Sequence, residues 1–180
     1  FGDPLVPDVA KARALMAQAG YPDGFEVTLD CPNDRYVNDE KICQAVATML
    51  AQIGVKVDLL AQTKSKFFGK VLPQNGNNTS MYLLGWGPST VDAWRALYPL
   101  VSCRGTAPGA GQFNLGGYCN QQVDELTAKI GVETDHDKRN AMIAEAFTIV
   151  RDDYAYLPLL QPPLSWGARE EVQVQQRADG

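Results

Sequence analysis

The spacing of apolar residues changes along the chain, and the changes mark the elements. Between Phe25 and Cys31, Phe25, Val27 and Leu29 alternate with polar positions, which predicts a strand with one side inward. From Asp39 to about Gln52 the period lengthens. Ile42, Val46, Met49, Leu50 and Ile53 fall on one helical stripe, and Gly54 ends it. Val55-Lys-Val-Asp-Leu-Leu60 returns to a strand. Strand, helix and strand in this order predict a parallel unit with a right-handed crossover.

Upstream, Asp8 caps a helix running to about Ala19, with Val9, Ala12, Met16 and Ala19 on one face and Gly20 at its end. Pro22-Asp-Gly24 is a turn. The segment 32–38 is a loop at the first strand's carboxyl end. Asn38 is its expected N-cap, and Asp39 and Glu40 suit the positive end of the helix dipole. A short helix at about 64–72 and a polar turn, 73–78, lead to Met81-Tyr-Leu-Leu84. That run has no polar alternation, so it reads as a strand covered on both faces, as in a parallel sheet. Gly85, Gly87 and Pro88 stop it. Trp86 is left at its carboxyl end, with Ser89, Thr90 and Asp92 just beyond. Three strands alternating with helices predict an α/β layer, and open α/β sheets bind ligands at that edge.

After Asp92 the character changes. Ala93 to Val101 predicts a short helix. Asn120 caps a helix with Val123, Leu126 and Ile130 inward. Asp135 caps a longer one, about 136–153, with Ile143, Ala146, Phe147 and Val150 inward. Tyr156-Leu-Pro-Leu-Leu160 is apolar and β-like, and Pro158 points to an edge strand or a strand end. Leu164–Gly167 and Val172–Gln175 predict two more short strands.

The chain has 180 residues, 45% of them hydrophobic, which suits one ordinary domain with a real core. Its net charge of −5 argues against nucleic acid, which calls for basic patches. No apolar run reaches the roughly 18 residues of a membrane helix. Phe1-Gly-Asp-Pro has neither the basic start nor the apolar core of a signal peptide, as expected of a mature protein or a piece of a longer one.

Four cysteines, Cys31, Cys43, Cys103 and Cys119, form no C-x-x-C pair. Three pairings are open, as is a set of free thiols. Cys103 and Cys119 bracket a glycine-rich loop with little else to hold it; a bridge there would remove loop entropy worth about 3 kcal/mol. Cys31 and Cys43 flank another loop and are the second expected pair. Such bridges imply an oxidising compartment.

Enzyme signatures are thin. The single histidine, His136, lies in Thr-Asp-His-Asp-Lys-Arg and reads as a solvated helix start. There is no G-x-S-x-G elbow, no H-E-x-x-H and no phosphate-binding loop. Asp152-Asp153 and Glu170-Glu171 are adjacent pairs whose side chains do not converge. No catalysis, cofactor or metal site is expected. What remains sits on loops at strand carboxyl ends: Arg35, Tyr36, Trp86, Ser89 and Asp92. A guanidinium can clamp a carboxylate bidentately, a carboxylate can receive an ammonium, and an indole offers an apolar wall. The set suits a zwitterion such as a peptide; the plainer alternative for each charged residue is a solvated loop position.

The order of motifs resembles the carboxyl-terminal lobe of the periplasmic peptide-binding proteins of ABC importers, the family of dipeptide, oligopeptide and nickel binders. The resemblance rests on Asp8-Val-Ala-Lys-Ala, Ala19-Gly-Tyr-Pro-Asp-Gly-Phe25, Ile53-Gly-Val-Lys-Val57 and Leu84-Gly-Trp-Gly87. It continues through Tyr118-Cys-Asn-Gln-Gln-Val-Asp-Glu-Leu126, Arg139 ahead of an Ala-rich helix, and Tyr156-Leu-Pro-Leu159. It implies one lobe, residues 1–180, of a two-lobe type II periplasmic-binding-protein fold: a mostly parallel sheet with helices on both faces. It further implies a peptide or other small ligand, closure of two lobes around it, and docking of the intact monomeric receptor on an inner-membrane permease. The family's disulfide after the Gly-Trp strand matches Cys103 and Cys119. In dipeptide binders the arginine of an Arg-x-Tyr-Asn segment holds the peptide carboxylate. Here Arg35-Tyr36-Val37-Asn38 keeps the arginine and asparagine, but Val37 replaces the tyrosine. The family's ammonium-binding aspartate falls at Ser89, with Asp92 a possible substitute. Two other readings stand beside this one: the same receptor type for an opine-like acid, sugar conjugate or metal chelate, and a standalone α/β hydrolase.

Overall fold

A computed structural model describes residues 6–75, 77–87, 90, 92–162 and 166–175. The chain separates into two compact units, one ending at Gly85 and the other beginning at Trp86.

The first unit holds a parallel three-stranded sheet in the order β2-β1-β3, with β1 at Glu26–Pro32, β2 at Lys56–Gln62 and β3 at Met81–Tyr82. Leu29 pairs with Leu59 on one side and Met81 on the other, so β1 is central. Leu83 N–H donates to the Asp30 carbonyl at 3.0 Å, carrying the third strand's pairing one residue past β3. The predicted strand–helix–strand unit is present, with α2 at Asp39–Ala51, and α3 follows at Lys64–Val71.

Helix α1, Val9–Gln18, starts as expected: the Asp8 carboxylate accepts the Lys11 N–H at 2.8 Å. It ends in a Schellman motif. Gly20 sits at φ 91°, its N–H reaches Ala17 O, and Tyr21 N–H reaches Met16 O at 2.9 Å. The expected inward face is not buried. Ala12 and Met16 are half-buried, while Val9 and Ala19 are exposed. α2 and α3 take the packing against the sheet. α1 is held by a polar tie, Arg13 Nε to the Gln52 carbonyl at 2.8 Å.

The buried side of α2 takes in most of the expected stripe, with Ile42, Val46, Leu50 and Ile53 half-buried, and extends to two residues outside it. Asp39 and Cys43 are its buried residues, and Val46 packs beside them; Met49 is 64% exposed. A Cys31–Cys43 disulfide pulls that side inward and, with Leu29, Val57, Leu59, Met81 and Leu83, forms one core cluster of this unit.

The second unit is helical. A short helix α4, Trp94–Ala96, continues as a wider π turn, Leu97–Val101. α5 spans Gln121–Ile130, and the Asn120 side chain accepts N–H groups from Gln122 and Val123. α6 spans His136–Asp152, and the Asp135 side chain accepts from Asp137 and Lys138. Val123, Leu126, Ile130, Ala146 and Val150 bury together with Leu97 and Val101; Ile143 and Phe147 flank them. The inward faces of both helices are the ones their spacing predicts.

A Cys103–Cys119 disulfide closes the glycine-rich loop. The loop is better held than expected. Buried Asn114 donates from Nδ2 to the Ser102 and Tyr118 carbonyls, and the Arg104 guanidinium donates to the Asn114 and Leu115 carbonyls. Tyr156–Leu160 forms no strand: no partner strand lies beside it among the described residues, and Leu157 is 74% exposed. Val172–Gln175 is likewise irregular. The strand expected at Leu164–Gly167 falls partly outside the described residues.

Candidate functional site

The loop leaving the carboxyl end of β1 carries Arg35 and Tyr36, and it is fixed at every turn. Asn33 N–H donates to the Gln62 carbonyl at 2.9 Å. The Asp34 carboxylate accepts the Lys64 N–H at the start of α3 at 2.6 Å. The Asp39 carboxylate accepts the N–H groups of Arg35 and Tyr36 at 3.0 Å each and its neighbour Glu40 at 2.9 Å. Cys31 and Cys43 are bonded across the loop's base.

Asn38 holds the N-cap position of α2 but does not cap with its side chain. Its backbone is left-handed at φ 60°, and Asp39 supplies the capping oxygens instead. Burial by itself would raise the Asp39 pKa. The N–H donors of Tyr36, Arg35 and Glu40 outweigh it and hold this carboxyl below the usual aspartate range.

Tyr36 lies against the segment that follows β3. Its hydroxyl donates to the Gly85 carbonyl at 3.3 Å. A Cβ on residue 85 would stand 2.7 Å from Tyr36 Cε1, so only glycine leaves room for the ring. The Arg35 guanidinium sits 5.1 Å from the centre of that ring, a cation–π contact. Arg35 is exposed, and among the described residues no carboxylate pairs with it. An open groove of about 400 Å³ runs beside the loop along Asn33, Tyr36, Asn38, Glu40 and Gln44.

Behind the loop is a pair that sequence pattern did not reveal. Asp30, fully buried in β1, accepts two contacts of 2.8 Å from Lys70 Nζ of α3.

In the second unit, Trp86 is 38% exposed. Its Nε1 donates to the Arg95 carbonyl at 3.2 Å, and its ring tilts against Phe113 with centroids 5.2 Å apart. The indole therefore keeps an open side. Asp92 is occupied. Both its oxygens meet Arg139 at 2.9 Å, and it accepts the Trp94 N–H at 2.9 Å. The hydrogen bond from Arg139 is the main reason its carboxyl titrates below the usual range. Ser89 lies outside the described residues. Among the described residues no group of three or more His, Cys, Asp or Glu side chains is placed to hold a metal ion. No described helix is long and apolar enough to cross a membrane.

The sequence profile of the bacterial extracellular solute-binding proteins, family 5 (middle), matches residues 2–108. The chain is 35% identical over 157 residues to the glutathione-binding protein GsiB of Salmonella typhimurium, covering 85% of this chain and 30% of that protein. Among solved structures, the periplasmic binding protein DppA of Helicobacter pylori, in complex with the peptide STSA, superposes with a TM-score of 0.75 at 26% identity. That match covers 87% of this chain and 29% of DppA. The binding protein AgaA of A. tumefaciens, in complex with agropinic acid, superposes at 0.67 with 25% identity, over 79% and 28% of the two chains. The chain thus spans under a third of the length of these proteins.

Proposed function

The chain belongs to the bacterial extracellular solute-binding proteins of family 5, and on that footing we propose that it is part of a peptide receptor serving an ABC importer. Residues 1–180 supply one of two ligand-binding lobes. The receptor captures a short peptide between its lobes outside the cytoplasmic membrane, as a monomer, and delivers it to a permease. It binds and releases rather than catalyses.

The observation that carries this reading is the Arg35 guanidinium: exposed, without a carboxylate partner among the described residues, and mounted on a braced loop at a strand's carboxyl end. A planar fork of N–H donors suits a peptide's terminal carboxylate. One such contact is worth about 1.5–3 kcal/mol, whereas micromolar affinity needs about 8 kcal/mol. The difference falls to apolar contacts and to the other lobe, so this lobe alone binds weakly. The ligand drives closure only by contacting the closed form better than the open one. Calorimetry on the full-length receptor tests the assignment: Arg35→Ala is expected to weaken di- or tripeptide binding about tenfold or more. Wild-type affinity in that variant refutes the clamp.

One observation favours a second reading. Asp92 is engaged by Arg139, so that carboxylate is not waiting for a peptide ammonium. An anionic cargo without a recognised amine, such as an opine-like acid, fits that arrangement. A thermal-shift comparison of dipeptides with opine-like acids, sugars and chelates separates the two, and no response to any dipeptide eliminates the peptide reading.

A further inference from the structure

We infer that Asp39 is the positioning residue of the anion clamp, acting through the backbone of Arg35; the inference rests on the reading of Arg35 given above. Three facts converge on it. Asp39 is buried, yet among the described residues no cation pairs with its carboxylate. One of its oxygens, Oδ2, takes both the Arg35 and the Tyr36 N–H groups at 3.0 Å, while Oδ1 takes Glu40. The residue it fixes is the exposed arginine, whose guanidinium rests over the Tyr36 ring. Asn38, by contrast, leaves the cap unfilled and takes a left-handed backbone, which turns the chain so that Asp39 faces back into its own loop.

A guanidinium on a flexible stem binds a carboxylate well only when its backbone is fixed beforehand, because ordering it on binding subtracts from affinity. Asp39 does that ordering in the free protein. Loss of the Asp39 carboxylate therefore weakens recognition of the ligand's anion specifically, beyond any loss of stability.

The test uses the full-length receptor and two probes, a peptide with a free C-terminal carboxylate and the same peptide with a C-terminal amide. Affinities are measured by calorimetry for wild type, Asp39→Asn, Arg35→Ala and the double variant, each checked for folding by thermal melts. The wild type is expected to prefer the carboxylate form. Asp39→Asn should lower that preference about fivefold to tenfold, a shift comparable to one weakened charge-assisted hydrogen bond. Arg35→Ala should abolish it, and the double variant should match Arg35→Ala alone. A preference unchanged in Asp39→Asn, with Arg35→Ala abolishing it, overturns the role of Asp39 and leaves the clamp intact. No preference in the wild type overturns the clamp and the role of Asp39 together. If Asp39→Asn does not fold, Asp39→Ser, which keeps one capping oxygen, is put through the same measurements with the same expected and overturning results.

Discussion

Replacing Lys70 by methionine should destabilise the first unit far more than an ordinary lysine substitution does. Lys70 is 31% exposed at its side chain, but the oxygens it meets at 2.8 Å belong to Asp30, which is completely buried in the central strand. Among the described residues the only other side chain bonded to them is Gln62, whose Nε2 lies 3.4 Å away. Methionine keeps most of the stem's packing and removes the charge, which strands a carboxylate in the sheet. Breaking a fully buried pair costs about 3–5 kcal/mol. The partly wet lysine end places this pair at or below the lower bound, about 3 kcal/mol, since solvent already screens part of the attraction. For a unit of 85 residues that corresponds to roughly 12–24 °C in melting temperature. Differential scanning calorimetry of the full-length protein, with urea melts alongside, measures it. The double variant Asp30→Leu with Lys70→Met should recover to within about 1 kcal/mol of wild type, because an apolar pair of similar volume carries no desolvation penalty. A loss below about 1 kcal/mol in Lys70→Met, or a double variant no better than the single one, refutes the reasoning.

Three further outcomes follow from the geometry. Gly85→Ala places a methyl 2.7 Å from the Tyr36 ring and should cost about 1–3 kcal/mol by thermal melt. Gly87→Ala, with no atom of the described residues within 4 Å of the new methyl, should stay within about 0.5 kcal/mol of wild type; equal effects would show that Tyr36 does not lie on Gly85. Asp39 has a folded pKa held below its unfolded value, so the unfolded state binds more protons in acid. Its contribution is fully present above the unfolded pKa of about 3.9 and is lost as pH falls through the folded value. Urea midpoints measured between about pH 2 and pH 5 should therefore fall more steeply in the wild type than in Asp39→Asn, and parallel curves would contradict this. Replacing Cys103 and Cys119 together by serine should cost about 3 kcal/mol. Asn114→Ala, which leaves the Ser102 and Tyr118 carbonyls and the Tyr118 N–H without their side-chain partner, should cost a similar amount despite the intact disulfide; a much smaller loss would mean that the bridge alone holds the loop.

Some elements were legible because their causes are local. α5 and α6 each begin with a side chain that caps its own first turn, and their apolar residues recur at helical spacing, so start, stop and inward face are all written within one stretch. The same method located the half-buried Ile42, Val46, Leu50 and Ile53 of α2 but not its most buried positions. It counts apolar residues, while those positions are a cysteine bonded to β1 and an aspartate that caps. It also made a strand of Tyr156–Leu160, where the apolar pattern is real but a strand exists only by pairing with another. For α1 the spacing identified the helix and not its burial, since burial depends on what faces it, and its one clear tie is to a carbonyl at the end of α2.

The charged residues of the candidate site show where this limit lies. Arg35 and Asp92 look alike in sequence: each is a charge on a loop just past a predicted strand. Asp92 differs because Arg139, 47 positions later, closes on it with two contacts of 2.9 Å, while no described carboxylate does the same for Arg35. A charge already neutralised by its own protein has little left to offer a ligand, because displacing the partner costs what the new contact returns. A charge whose backbone is fixed and whose head is unpaired has its full interaction in reserve. In the reading proposed above, the weight of ligand recognition in this chain falls on the loop after β1, where Asp39, Gly85 and the Cys31–Cys43 bridge hold the backbone and the aromatic base while the guanidinium stays in solvent.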